Sequence, residues 1–245
     1  MDCRRVLIFI LTIQHSITMA LNKSTGNMYE FITHTINFIK GKCFHDCLYC
    51  FMKFMFNIVL GVINLDEKEL KTNLGSGNFI FVGSSTDMWA KDVPSDWILQ
   101  VLDRCNEFDN RYLFQSKDPQ RFLEFLGHPI FAQGKAVLCT TLETNRWYPE
   151  ILRNAPMPEE RVQAMAELAA RGHATFVTCE PLMDFDLDVL VEMLKACQPK
   201  QVNIGRNSVR QVRLPEPDRD KVQALITELS TFTTVHVKSN ASVWA

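Results

Sequence analysis

The stretch KGKCFHDCLYCFMKF, residues 40–54, packs three of the chain's eight cysteines into eight positions: Cys43, Cys47 and Cys50. Thiolates are soft ligands suited to zinc or to iron–sulfur clusters. A structural zinc site closes with four ligands, and a cubane [4Fe-4S] cluster also usually takes four. C-x3-C-x2-C supplies three, and His45 inside the loop is the nearby fourth candidate. A metal centre with one position left open is the mark of a reactive site rather than a structural one.

Outward from this loop the chain alternates between two patterns. FITHTINFI (31–39) just ahead of it is β-rich. NFIFV (78–82), RYLFQ (111–115), AVLCTTL (136–142), ATFVT (174–178), QVNIG (201–205) and TVHVK (234–238) read as further strands. Between them the spacing predicts a short polar helix near 66–73 and a helix capped by Ser95 that runs to about Glu107. Asp118 followed by Pro119 reads as a cap with proline at the first helical position. A long helix is expected over 158–171, stopped by Gly172. Asp184 or Asp186 opens one ending near Cys197, and a last one covers about 218–231.

Strands alternating with helices imply a parallel sheet with right-handed crossovers. Six strand–helix units in about two hundred residues are too few for a closed eight-unit barrel. The fold class expected is α/β, an open partial (β/α)6 barrel, with a doubly wound sheet as the alternative. In either, polar residues at the C-terminal ends of strands are the functional candidates. Those ends read GSSTD (83–87), SKDP (116–119), TTLETNR (140–146), CEP (179–181) and GRNS (205–208). Capping and turn chemistry accounts for part of this set. Lys117, Glu143 and Glu180 are not needed for turns, and an active-site rim is the better account.

The remaining composition narrows the class. The chain has 245 residues, 47% of them hydrophobic, enough for one domain with a real core. A formal net charge of −2 gives no global argument for a nucleic-acid or membrane partner. Cys105 and Cys197 each end an i, i+3, i+4, i+7 apolar pattern and read as small buried hydrophobes. A secreted disulfide framework does not suit this length and cysteine density, so a reducing, cytoplasmic setting is expected. At the amino terminus, Arg4 and Arg5 precede VLIFILTI (6–13), a run too short for a membrane span and lacking a clear cleavage site. Residues 1–27 are expected to be a non-native or upstream-start extension, with Met19 or Met28 beginning a functional domain that runs from 28 to 245.

With Tyr49 just before its last cysteine, the loop resembles the radical S-adenosylmethionine (radical SAM) signature, C-x3-C-x-aromatic-C. TGNMYEFITHTINFIKGKC and FVGSSTDMW resemble the spore photoproduct lyase-like branch, and within it a phage-associated group. The resemblance covers essentially all of residues 28–245. It implies that Cys43, Cys47 and Cys50 hold three irons of a [4Fe-4S] cluster and that SAM chelates the fourth. Reductive cleavage of SAM would then give a 5′-deoxyadenosyl radical that abstracts hydrogen from a substrate. An electron donor such as flavodoxin or ferredoxin is implied as partner, and nucleic acid or a nucleotide as the substrate class; no membrane is.

Roles carry over residue by residue. The resemblance places Tyr49 beside the adenine. GSSTD stands where many members have a Gly-Gly-Glu segment for the SAM amino group; the glutamate is absent, so Gly83 offers close backbone approach while Ser84 and Asp87 offer acceptors. Lys117 suits the SAM carboxylate. Thr141 and Glu143 share a strand face and would meet the ribose or methionine. Glu180 and Asn203 are further contact candidates. Position 51 is Phe where the branch often has Tyr, and FMKFMFNIVLGVI (51–63) reads as a buried helix or a partner surface, with core packing the better account. Cys139 lies deeper on the Thr141 face, and Cys179 faces the opposite side, so neither suits a lyase's hydrogen-donor thiol.

Two other readings compete. One is a zinc- or cluster-stabilised binding module without radical turnover, in which Lys40, Lys42, Lys53, Arg206 and Arg210 form a phosphate-binding patch. The other is a member that binds a cluster but does not turn over because the glutamate is missing.

Overall fold

AVLCTT, Ala136–Thr141, is a strand with every residue buried. That is the expected state of a strand in a parallel sheet covered on both faces. In this computed structural model, which describes residues 21–25, 27–55 and 60–244, it lies in the middle of an eight-stranded sheet. The strands in chain order are β1 (Asn22–Lys23), β2 (His34–Ile36), β3 (Ile39–Lys40), β4 (Asn64–Leu65), β5 (Phe79–Val82), β6 (Arg111–Ser116), β7 (Ala136–Thr141), β8 (Ala174–Cys179), β9 (Gln201–Ile204) and β10 (Thr234–Val237). The large sheet runs β1-β2-β5-β6-β7-β8-β9-β10. All its pairs are parallel except β1 with β2. β3 and β4 form a separate antiparallel pair. The partial-barrel α/β architecture read from the sequence is the one observed.

Period two sorts the strand side chains into two clusters. Ile80, Val82, Tyr112, Phe114, Leu138 and Val177 face the helices. Phe81, Leu113, Val137, Cys139 and Phe176 face inward, where Tyr29 and Ile32 pack on them. The helices are α1 (Ser95–Asn106), α2 (Pro129–Ala132), α3 (Pro149–Leu152), α4 (Pro158–Ala170), α5 (Leu187–Ala196) and α6 (Arg219–Leu229). In α1 the expected stripe Ile98, Val101, Leu102 and Cys105 is buried without exception. α4 ends before Gly172, whose φ of 86° suits glycine at a helix stop.

Several local expectations shift. Pro94, not Ser95, is the N-cap of α1, and the Ser95 hydroxyl accepts from Arg121 instead (3.0 Å). The polar helix near 66–73 shrinks to a 3-10 turn, Glu69–Lys71. Asp118 precedes a 3-10 segment, Pro119–Phe125, without a side-chain cap. After the thiol loop, among the described residues of 51–63, only Phe51–Lys53 is helical, as a 3-10 turn. Phe51, Phe54 and Met55 are exposed rather than buried in the core; residues 56–59 of that stretch lie outside the described residues. The apolar run 6–13 also lies outside them. Asn22–Lys23, within the stretch expected to be an extension, form β1 and pair with β2. Among the described residues, no helix is long and apolar enough to cross a membrane.

Candidate functional site

The C-terminal ends of the parallel strands and the loop after β3 surround a cavity of about 560 Å³. The thiol loop supplies Cys43, Cys47, Tyr49 and Cys50 to its wall; the strand ends supply Gly83, Ser84, Ser85, Asp87, Gln115, Lys117, Thr141 and Glu180. Glu143 and Asn203 are not in the lining. The polar strand ends thus share one mouth with the cysteines, as a parallel α/β sheet requires of a working site.

Backbone contacts fix the loop. Leu48 N–H donates to the Ile151 carbonyl of α3 (2.9 Å), and Asn154 N–H to the His45 carbonyl (3.2 Å). Lys53 Nζ donates to the carbonyls of Asp46 (2.6 Å) and Cys47 (2.8 Å). Thr86 ties the GSSTD turn to it through the Gly41 carbonyl (2.8 Å). Cys43 and Cys50 remain half-buried, and Cys47 is buried. Burial, then the charge of Asp87, pushes the Cys43 thiol up to about 12. Burial also raises Cys47, against the opposing charge of Lys117.

Beneath Tyr49 lies a buried ionic group. Glu143 Oε1 accepts from the Tyr49 hydroxyl and from Lys117 Nζ, and Glu143 Oε2 accepts from Arg161 Nη1 (2.8 Å). Lys117 Nζ also donates to the Tyr49 hydroxyl (2.8 Å). Two of its three protons are thereby engaged, and the third is left for the cavity it lines. Burial would raise the Glu143 carboxyl, but Lys117 and Arg161 outweigh it and hold it at about 2. Glu143 was expected to meet the ribose or methionine of SAM. Its carboxylate is instead turned under Tyr49, because the strand ends at Thr141 and period two stops there. Arg161, overlooked in the sequence, is the partner that draws it in.

Asp87 is also committed. Its Oδ2 accepts from His45 Nε2 (2.9 Å), Ser116 Oγ (2.9 Å) and Lys117 N–H (2.9 Å), and its Oδ1 from Trp89 N–H (3.0 Å). An acceptor satisfied four times over holds the loops together and has little left for a ligand. His45, the possible fourth metal ligand, is held by it. Gly83 keeps a φ of 83°, and a Cβ there would meet the Thr86 carbonyl at 3.2 Å. Ser84 Oγ pairs with Asn37 (3.2 Å) and Ser85 N–H donates to Asn37 Oδ1 (2.9 Å).

Across the cavity Glu180 accepts from Asn27 Nδ2 (2.8 Å), Asn240 Nδ2 (3.0 Å) and Lys238 Nζ. Gly205 makes room for it: a Cβ there would lie 2.6 Å from the Glu180 carboxyl carbon. Thr141 stands beside Gln115 (3.5 Å). Asn203 is buried below, donating to Thr178 Oγ1 (3.1 Å). Tyr29, not singled out as a site residue in the sequence, donates to Gln115 Oε1 (2.7 Å) and sits against Thr178 Oγ1 (2.8 Å). Cys139 is inward-facing but fully buried, and Cys179 lies in the helix-side core.

The donor set fits a cluster held by three thiolates. Three soft thiols open on one cavity, and the neighbouring imidazole is occupied elsewhere. Among the described residues, no three His, Cys, Asp or Glu side chains converge as ligands for a single ion. Four of the five basic residues of the binding-module reading have acidic partners. Lys40 pairs with Asp66 and Glu69, Lys42 and Lys53 with Asp46, and Arg206 with Glu216.

No protein-family model and no curated protein sequence matches the chain. Solved structures of spore photoproduct lyase do match in fold. A double variant "with bound AdoMet and dinucleoside spore photoproduct" superposes with a TM-score of 0.65 at 10% identity, over 89% of this chain and 80% of that one. A cysteine-to-serine variant gives a TM-score of 0.64 at 11% identity over the same shares. The enzyme "complexed with dinucleoside spore photoproduct" gives 0.64 at 11% identity, over 87% and 78%. At such identities the likeness is one of fold.

Proposed function

We propose that this chain is a radical SAM enzyme that cleaves SAM reductively at a [4Fe-4S] cluster and abstracts hydrogen from a nucleic acid or nucleotide. The observation that carries this reading is the opening of Cys43, Cys47 and Cys50 onto one strand-end cavity while His45 is held by Asp87. Three thiolates leave one cluster position for a non-protein ligand. When bound, the cluster and SAM supply a one-electron C5′–S cleavage that yields a hydrogen-abstracting 5′-deoxyadenosyl radical.

The chain's own residues position and enclose. Lys117 directs its remaining proton into the cavity toward the SAM carboxylate. The SAM ammonium falls to neutral oxygens of Ser84, Ser85 and Thr141, since Asp87 and Glu143 are satisfied elsewhere. Tyr49, pinned through its hydroxyl, offers a ring face to the adenine. Glu180, with Lys238 and the amides of Asn27 and Asn240, lines the far side, where a substrate would lie. The nucleic-acid class rests on the fold neighbours whose titles name a dinucleoside.

The test is anaerobic reconstitution with iron and sulfide, followed by dithionite and SAM. The expected outcome is a brown protein that forms 5′-deoxyadenosine, with no product from Cys47→Ala. Deuterium passing from a labelled oligonucleotide into that product would support the substrate class. A colourless protein that retains only zinc would overturn the reading.

A further inference from the structure

Arg161 lies behind the cavity rather than in its wall. Its side chain on α4 is 0% exposed, against 1% for Glu143 and 16% for Lys117. Its Nε donates to the Pro156 carbonyl (2.8 Å), and its Nη1 donates to the Thr141 carbonyl (2.9 Å) and to Glu143 Oε2 (2.8 Å). Nη2 is buried with no hydrogen-bond partner among the described residues. A guanidinium keeps its charge when buried, and only a counter-charge offsets the cost of taking it out of water. Here that counter-charge is shared, because Glu143 gives one oxygen to Arg161 and the other to Lys117. Tyr49, the third donor, stays neutral: burial and the charge of Glu143 push its hydroxyl well above its ordinary range. Asp87 accepts from the backbone N–H of Lys117 and is paired with His45. Two cations therefore face one anion, and the group carries one uncompensated positive charge. That charge reaches the cavity at Lys117, the member of the three that lines it.

We propose that Arg161 is a positioning residue for the SAM carboxylate, acting through Glu143 to keep Lys117 a net cation. The inference rests on the radical SAM reading and adds to its cofactor site a residue that never touches the cofactor. Without Arg161, Glu143 and Lys117 would close on each other as a neutral pair, and the cavity would lose the charge that draws a carboxylate. With Arg161 in place, one oxygen of Glu143 is already satisfied and Lys117 keeps both a free proton and an unanswered charge. A single bound carboxylate then brings the group to neutrality, the ordinary condition for buried charges. The thiol-held centre is the weaker claimant, because Lys117 Nζ is hydrogen-bonded to Tyr49 and Glu143 and, among the described residues, to no cysteine sulfur.

The test measures the affinity of the reconstituted, unreduced protein for SAM and for decarboxylated SAM, which keeps the sulfonium and ammonium but lacks the carboxylate. Arg161→Met is expected to weaken SAM about tenfold or more and to leave the decarboxylated analogue unchanged. Adding Glu143→Gln to Arg161→Met should restore SAM affinity, because Lys117 is again unopposed. Glu143→Gln alone should bind SAM at least as tightly as the unsubstituted protein. Arg161 makes one hydrogen bond to Glu143, so Arg161→Lys, which keeps the charge, should retain most of the affinity. Iron content and circular dichroism are read for each variant. If Arg161→Met does not fold, Glu143→Gln and the double variant carry the comparison, and weakened SAM binding in either overturns the proposal. So would unchanged SAM affinity in Arg161→Met, equal losses for SAM and its analogue, or a double variant as weak as Arg161→Met; each leaves Arg161 to packing or to the thiol-held centre, with the SAM site intact. No saturable SAM binding by the unsubstituted, iron-loaded protein would instead remove the underlying reading, and this role with it.

Discussion

Glu143 is a charge with nowhere to go but its three donors, Tyr49, Lys117 and Arg161. Its carboxyl is held at about 2 against an ordinary 4.5, because the two cations outweigh burial. Unfolding restores the ordinary value, so the unfolded chain binds a proton that the folded chain refuses. The stabilisation is complete above about pH 4.5 and is lost as pH falls toward about 2. Urea titrations across that window should show stability falling with acid, and Glu143→Gln should flatten that limb; an unchanged limb would mean that other carboxylates set it. Lys117 answers to two partners at once. Lys117→Ala should weaken SAM binding about tenfold to hundredfold, the worth of a charge-assisted hydrogen bond, while iron content persists. Titration of the reconstituted protein with SAM reads this directly, and unchanged affinity would remove Lys117 from the cofactor site.

The elements differ in how openly the sequence declares them. α1 was legible because its apolar residues recur at helical spacing, and β7 because an unbroken apolar run at that length suits a strand buried on both faces. Cys105 is the last of the α1 stripe and is fully buried. Cys105→Ala should therefore cost about 1 kcal/mol in a denaturant midpoint and leave iron content unchanged; loss of the cluster would contradict its packing role. β1 and the β3–β4 pair were missed because two-residue strands carry no period. The turn of Glu143 away from the cavity was missed because strand alternation says nothing beyond Thr141. A signal existed on α4. Arg161 sits among Pro158, Ala164, Met165 and Leu168, the buried face of that helix, and an arginine on a core stripe demands a buried anion. Asn27 and Tyr29 had no such signal, lying at the edge of a segment read as extension.

At the scale of the whole molecule, part of the thiol loop packs in an apolar cluster distinct from the main core. Cys47 and Tyr49 pack with Ile151, Leu152 and Met183 in a small cluster, whereas the sheet and its helices bury their own large core. The loop is held by protein hydrogen bonds from Lys53, Asn154 and Leu48. Small metal-dependent modules behave otherwise: their binding energy is their folding energy, and they unfold when stripped. This chain has the length and the core to fold alone. Replacing Cys43, Cys47 and Cys50 together by Ala should abolish the iron–sulfur absorbance yet keep the far-ultraviolet circular dichroism and a cooperative melt. The cluster-bearing protein should melt higher than the stripped one, because a ligand that binds only the folded state adds its binding energy to stability. Circular dichroism melts of the two forms, run anaerobically, decide it. A stripped protein with no cooperative transition would return the loop to the role of a structural metal module and weaken the case for an open, reactive centre; a folded one leaves the three thiols free to serve chemistry rather than architecture.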